Sequence, residues 1–184
     1  MRAFVAAELP ERFVEQTHRL SQLLRERMSG RFARSDAYHL TLAFLGDIND
    51  ADATLAMDAL DAACAQTEPL SIRACGLGTF GKKPDATLWL DIDGGSELSA
   101  LAARVRDELS YRDVAFDPKP FKAHVTLARH VAIPKQSLGD LAFPEPALLR
   151  TVTLFKSTLL PDGAQYKPLY RIELPLSPGK GVSE

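Results

Sequence analysis

Cysteine is scarce in this chain. Cys64 and Cys75 are the only two among 184 residues, so a disulfide-rich scaffold is excluded. Their separation of eleven positions matches neither a CxxC redox pair nor a zinc ribbon. Both read as small buried apolar residues, and a reducing cytoplasm is the expected location. Positive charge is not in excess either. With 22 Lys+Arg against 24 Asp+Glu, the formal charge is −2, which argues against coating a duplex through counterion release. A local basic pocket can still hold a nucleotide or a strand end, because the field inside a cleft need not follow the net charge.

Long apolar runs are missing too. No stretch approaches a membrane span, and the opening run from Met1 is interrupted by Glu8, too early for a signal-peptide core. No membrane partner is expected. Glycine (11) and proline (12) are at ordinary levels, which sets aside collagen-like and largely disordered chains. There is no GxGxxG turn of a dinucleotide-binding fold and no GxxxxGK[ST] phosphate loop. What remains is a chain that is 46% apolar and 25% charged, of ordinary single-domain length, expected to be monomeric. At this size, folding removes roughly 70% of the unfolded surface from water without help from metal or disulfide.

Periodicity divides the chain. Residues 2–9 read as a strand, followed from Pro10 by a helix with Phe13, Thr17, Leu20 and Leu24 at helical spacing, ended by Gly30. A strand over Tyr38–Leu45 is stopped by Gly46-Asp47. A helix runs from about Asp50 to Gln66, capped by Asn49 or Asp50, with Leu55, Ala59, Leu60, Ala63 and Cys64 inward. Strands over Leu70–Gly76 and Ala86–Asp93 flank a Gly78–Asp85 loop, in which Lys82 and Lys83 read as solvated. Ser96 then caps a helix with Leu98, Leu101, Val105 and Leu109 in register. A strand over Phe121–Arg129, a proline-bearing stretch over 132–148, and strands Thr151–Thr158 and Gln165–Leu174 joined by Pro161-Asp162-Gly163 complete the domain. Residues 1–174 form the body and 175–184 a flexible tail. The order β-α-β-α-β then β-α-β-β-β indicates an α+β fold with signs of duplication.

Two of the four histidines stand in one context, His39-Leu40-Thr41-Leu42 and His124-Val125-Thr126-Leu127. On composition alone such a coincidence has odds of roughly one in a few thousand. On a strand, His39 and Thr41 share one face and Leu40 and Leu42 the other, as do His124 and Thr126 against Val125 and Leu127. If two such strands lie side by side about a two-fold axis, two imidazoles and two hydroxyls face one cleft. One neutral ring can then accept a proton while the other, protonated, donates one, and the threonine hydroxyls hold phosphoryl oxygens. That kit suits phosphoryl transfer without a metal. A zinc site is the rival reading, disfavoured because no cysteine, aspartate or glutamate stands at ligand spacing beside the pair. No cofactor is expected. His18 and His130 read as half-buried histidines satisfied within the fold.

With these motifs the chain resembles the 2H phosphoesterases, and within them the bacterial and archaeal RNA 2′,3′-cyclic phosphodiesterases, also called the 2′-5′ RNA ligase family. The likeness extends over Arg2–Pro10, Tyr38–Gly46, Gly76–Phe80, Leu88-Trp89-Leu90, Pro120–Arg129, Leu154-Phe155-Lys156-Ser157 and Pro161–Tyr166. The resemblance implies two pseudo-symmetric lobes of antiparallel sheet plus helices around a central cleft. It also implies hydrolysis of RNA or nucleotide 2′,3′-cyclic phosphate ends to 2′-phosphates. His39 would be the proton donor to the departing 3′-oxygen, His124 the proton acceptor, and Thr41 and Thr126 the phosphate ligands. Ligation of 2′-5′ ends by the reverse reaction and a non-catalytic module holding RNA ends are the alternatives. Where the family often has arginine and proline, this chain has Lys122 and Ala123, which keeps a charge and loses a bidentate fork. Four further residues are candidate substrate contacts: Phe44, Lys122, Arg129 and Tyr166. Phe44, Tyr38 and Tyr166 read first as core residues and only second as base platforms. Arg129 binds phosphate or serves the surface, since strict alternation turns it away from His124.

Overall fold

The computed structural model describes residues 1–81, 85–132, 140–160 and 163–176. Lys82, Lys83, the Pro161-Asp162 turn and the tail from 177 lie outside these residues. Within them the chain runs β1 (Arg2–Ala7), α1 (Glu11–Arg27), β2 (Arg31–Phe32), a 3-10 turn (Ser35–Ala37), β3 (Leu40–Asp47) and α2 (Asp50–Cys64). It continues through β4 (Leu70–Phe80), β5 (Ala86–Asp93), α3 (Gly95–Tyr111), β6 (His124–Val131), β7 (Ala147–Leu149), β8 (Thr151–Leu160) and β9 (Gly163–Glu173).

Two antiparallel sheets result, one ordered β3-β1-β8-β9 and the other β2-β6-β5-β4-β7. Each holds one H-x-T strand, so β3 and β6 approach one another from separate sheets rather than as hydrogen-bonded neighbours. Nor do the lobes follow the halves of the sequence. The N-terminal β1 pairs with β8 near the C-terminus (Ala3↔Lys156 to Ala7↔Val152), whereas β2, from the first half, edges the other sheet. The short β2 and β7 carry no periodic signal in two or three residues and were not expected.

The helices cover the apolar faces. Phe13, Leu20 and Leu24 of α1, and Leu98, Leu101, Val105 and Leu109 of α3, are at most 1% exposed, as their spacing predicts. In α2 the inward side is an alanine stripe, Ala53, Ala56, Ala59 and Ala63 with Leu60 and Cys64, while Leu55 is 37% exposed. Asn49 closes that helix with a reciprocal capping box: its side chain accepts from the Asp52 amide at 2.8 Å and Asp52 accepts from its own.

Several boundaries move. α1 ends at Arg27 with Met28 extended, before Gly30. β3 runs through Gly46, where φ of +71° suits glycine, instead of stopping there. β4 continues to Phe80 because it pairs with β5 as far as Phe80↔Thr87, and α3 is preceded by Gly94 rather than capped by Ser96. Cys64 is buried as expected, whereas Cys75 is exposed. No helix among the described residues is long and apolar enough to cross a membrane.

Candidate active site

The two sheets meet at a cleft of about 410 Å³ whose lining includes His39, Thr41, His124 and Thr126. In both motifs the alternating apolar residues go to the core: Leu40, Leu42, Val125 and Leu127 are 0% exposed. That burial is what turns His39, Thr41, His124 and Thr126 to the cleft.

Both strands then break step at the same place. Opposite β1, Thr41 pairs with Ala6 and Ala43 with Val5, leaving Leu42 as an extra residue. Opposite β5, Thr126 pairs with Trp89 and Ala128 with Leu88, leaving Leu127 extra. A bulge puts two successive side chains on one side, here Leu42-Ala43 and Leu127-Ala128, all four buried. The next residue in each strand therefore returns to the cleft: Phe44 in one, Arg129 in the other. The alternation that would turn Arg129 away from His124 is reversed by that extra residue.

The imidazoles are held alike. Nδ1 of His39 lies 2.8 Å from the carbonyl of Ala37, and Nδ1 of His124 lies 2.6 Å from that of Lys122, in each case two residues upstream. A carbonyl only accepts, so each Nδ1 carries the proton and Nε2 is the ring nitrogen left for chemistry. Aromatic walls fix the planes. His39 lies 4.7 Å from the Phe4 ring and edge-on to Tyr166 at 4.9 Å; His124 is edge-on to Phe80 at 5.2 Å and to Trp89 at 5.8 Å. Phe4, Phe80 and Trp89 were not singled out as site residues in the sequence, although each lies in a segment that carries the family resemblance.

These walls have an electrostatic effect. Burial pushes the His39 pKa down from 6.5 to about 4, opposed by the hydrogen bond to Ala37 and reinforced by the neighbouring His124 and the Arg129 guanidinium. The free cleft therefore holds a neutral His39 at neutral pH. The Tyr166 phenol is pushed above its usual value by the same burial.

The remaining candidates separate. Phe44 lines the cleft beneath the Arg2 guanidinium, 5.0 Å from the ring centroid, and Tyr166 lines it beside His39. Tyr38 is 6% exposed and belongs to the core. Lys122 is not part of the lining: its Nζ is 2.8 Å from Asp91 Oδ1 and 5.0 Å from the Trp89 ring. Its contribution is its carbonyl, which orients His124. His130, expected half-buried, is exposed, with Nδ1 2.5 Å from Asp85 and a left-handed φ of 54°. His18 Nδ1 is buried without a hydrogen-bond partner among the described residues, so that histidine is not satisfied as expected. No three His, Cys, Asp or Glu among the described residues group closely enough to hold a metal ion.

Two antiparallel sheets facing one another across a cleft, each presenting one histidine and one threonine, define an α+β protein with a paired-imidazole centre. The chain belongs to the 2′-5′ RNA ligase superfamily, which residues 9–156 match. It is 29% identical over 180 residues to the RNA 2′,3′-cyclic phosphodiesterase of Thermotoga maritima, covering 94% of this chain and 95% of that one. A protein of the same name from Archaeoglobus fulgidus is 27% identical over 176 residues, with 92% and 98% covered. Among solved structures, LigT of E. coli in its apo form matches with a TM-score of 0.72 at 25% identity, over 94% of this chain and 96% of that one. A Thermus thermophilus protein matches with a TM-score of 0.81 at 24% identity over 95% and 98%, a likeness of fold.

Proposed function

We propose that this protein hydrolyses the 2′,3′-cyclic phosphate of an RNA end or nucleotide to a 2′-phosphate. The observation that carries this reading is the matched pair of Nδ1 to carbonyl anchors, which leaves the Nε2 atom of each ring for chemistry on one cleft that Thr41 and Thr126 also line. The family membership and the shared name of the relatives support the substrate class.

In the proposed reaction, His124 Nε2 takes a proton from water as its oxygen attacks phosphorus. The bond from phosphorus to the 3′-oxygen breaks, and His39 Nε2–H protonates that oxygen, while the 2′-ester bond stays intact. Thr41 and Thr126 donate to the non-bridging oxygens, whose charge grows in the transition state. His39 must carry a proton to act, yet its burial and the Arg129 charge keep it neutral in the free protein. The phosphate anion supplies the correction: it offsets Arg129 and favours imidazolium, so substrate and proton arrive together. Among the described residues no carboxylate or thiolate joins the two imidazoles in the cleft lining, and the reaction as written needs no metal.

The test is product analysis on a nucleoside 2′,3′-cyclic phosphate with chelator present. Formation of the 2′-monophosphate is expected; a 3′-monophosphate as sole product, or no turnover, overturns the reading.

A further inference from the structure

Beyond the two H-x-T pairs, the cleft wall carries an arginine pair of which the reaction engages only Arg129. Arg31 of β2 pairs directly with Arg129 of β6, and both side chains line the cleft. Like charges directly opposite on antiparallel strands repel one another. Among the described residues no carboxylate forms an ion pair with either, although the neighbouring Arg34 is held by Asp36 at 2.7 Å. A chain of net charge −2 thus leaves two adjacent guanidiniums uncompensated at one place. Such a pair calls for anions.

One cyclic phosphate cannot match them. It is a diester with a single negative charge, and its two non-bridging oxygens are already taken by Thr41 and Thr126, with Arg129 close enough to act on His39. Space continues past Arg31. The cleft follows Phe32 and Ala33 toward the 3-10 turn, and a second cavity of about 170 Å³ abuts it. That cavity shares Arg34, Ala164 and Tyr166 with the first and is bounded by Asp36, Leu160 and Gln165.

We propose that Arg31 binds the phosphodiester immediately 5′ of the terminal nucleotide, so that the preferred substrate is an oligonucleotide end rather than a free nucleoside cyclic phosphate. This rests on the hydrolase reading above. Arg129 serves the reacting phosphate, Arg31 the next one, and the second cavity receives the penultimate nucleoside.

Three substrates test it: a dinucleotide ending in a 2′,3′-cyclic phosphate, the same dinucleotide with a neutral methylphosphonate linkage, and the matching nucleoside 2′,3′-cyclic phosphate. For the unaltered protein, kcat/KM is expected to be about tenfold or more higher on the charged dinucleotide than on the other two, as one charge-assisted contact allows. Arg31→Gln should reduce that preference to near one, mainly through KM, and Arg31→Lys should restore part of it. No preference in the unaltered protein, or an equal loss on all three substrates in Arg31→Gln, overturns the proposal. Absence of turnover on every substrate overturns the hydrolase reading instead. The arginine site is then decided by fluorescence anisotropy with labelled 2′-phosphate dinucleotides. Tenfold weaker binding of the charged form to Arg31→Gln supports it; equal affinity for charged and methylphosphonate linkages overturns it.

Discussion

The depressed pKa of His39 makes stability depend on pH with a calculable sign. In the unfolded chain the imidazole titrates near 6.5, and in the folded protein at about 4. Between these values the unfolded state binds the proton and the folded state does not, so acid favours unfolding. The contribution of His39 to stability is therefore intact above the unfolded pKa and is lost as pH falls through the window from 6.5 to about 4. Linkage gives a loss of about 2 kcal/mol by pH 5, tending to about 3 kcal/mol below the folded pKa. His39→Asn removes the titration while an amide N–H can still donate to the Ala37 carbonyl, so the difference between the two proteins isolates the effect from all other groups. Urea unfolding at pH 7.5 and at pH 5, at one ionic strength, should show the unaltered protein losing about 2 kcal/mol relative to the variant. An NMR titration of the His39 ring should agree and should move upward when inorganic phosphate is added, because the anion offsets Arg129. Parallel stability profiles for the two proteins, or a ring that titrates near 6.5 without ligand, would refute the claim that burial by Phe4 and Tyr166 governs this imidazole.

Other expectations follow from the same geometry. His39→Ala and His124→Ala should each lower kcat on a nucleoside 2′,3′-cyclic phosphate by roughly 10²–10⁴ with thermal unfolding little changed; full activity in either variant would break the proposed roles. Gly78→Ala places a Cβ 2.2 Å from Trp89 Cζ2, so the indole that packs edge-on to His124 must shift. Urea unfolding should show a loss of about 1–3 kcal/mol accompanied by slower turnover, and unchanged values for both would contradict the packing. Lys122→Met removes an exposed ion pair with Asp91 worth about 0–1 kcal/mol and leaves the carbonyl that anchors His124. Its kcat/KM should stay within a few-fold, whereas a hundredfold loss would place the ammonium on the substrate.

The candidate site was legible in the chain because strand periodicity is a local property. Once Leu40, Leu42, Val125 and Leu127 are apolar and spaced by two, burying them obliges the intervening histidines and threonines to face the other way. The amphipathic helices were legible for a similar reason, and the family likeness follows from the same motifs. Period two cannot report its own interruption. The bulges at Leu42 and Leu127 exist only because β1 and β5 pair across those leucines, and they bring Phe44 and Arg129 back to the cleft. The walls of the site are likewise assembled from distant places, Phe4 and Tyr166 around His39, Phe80 and Trp89 around His124. The identity of the proposed reacting groups was thus written in neighbouring residues. Their proton affinity, and the pairing of Arg31 with Arg129, depend on burial and on charges brought together by non-local strand pairing, which only the tertiary structure determines.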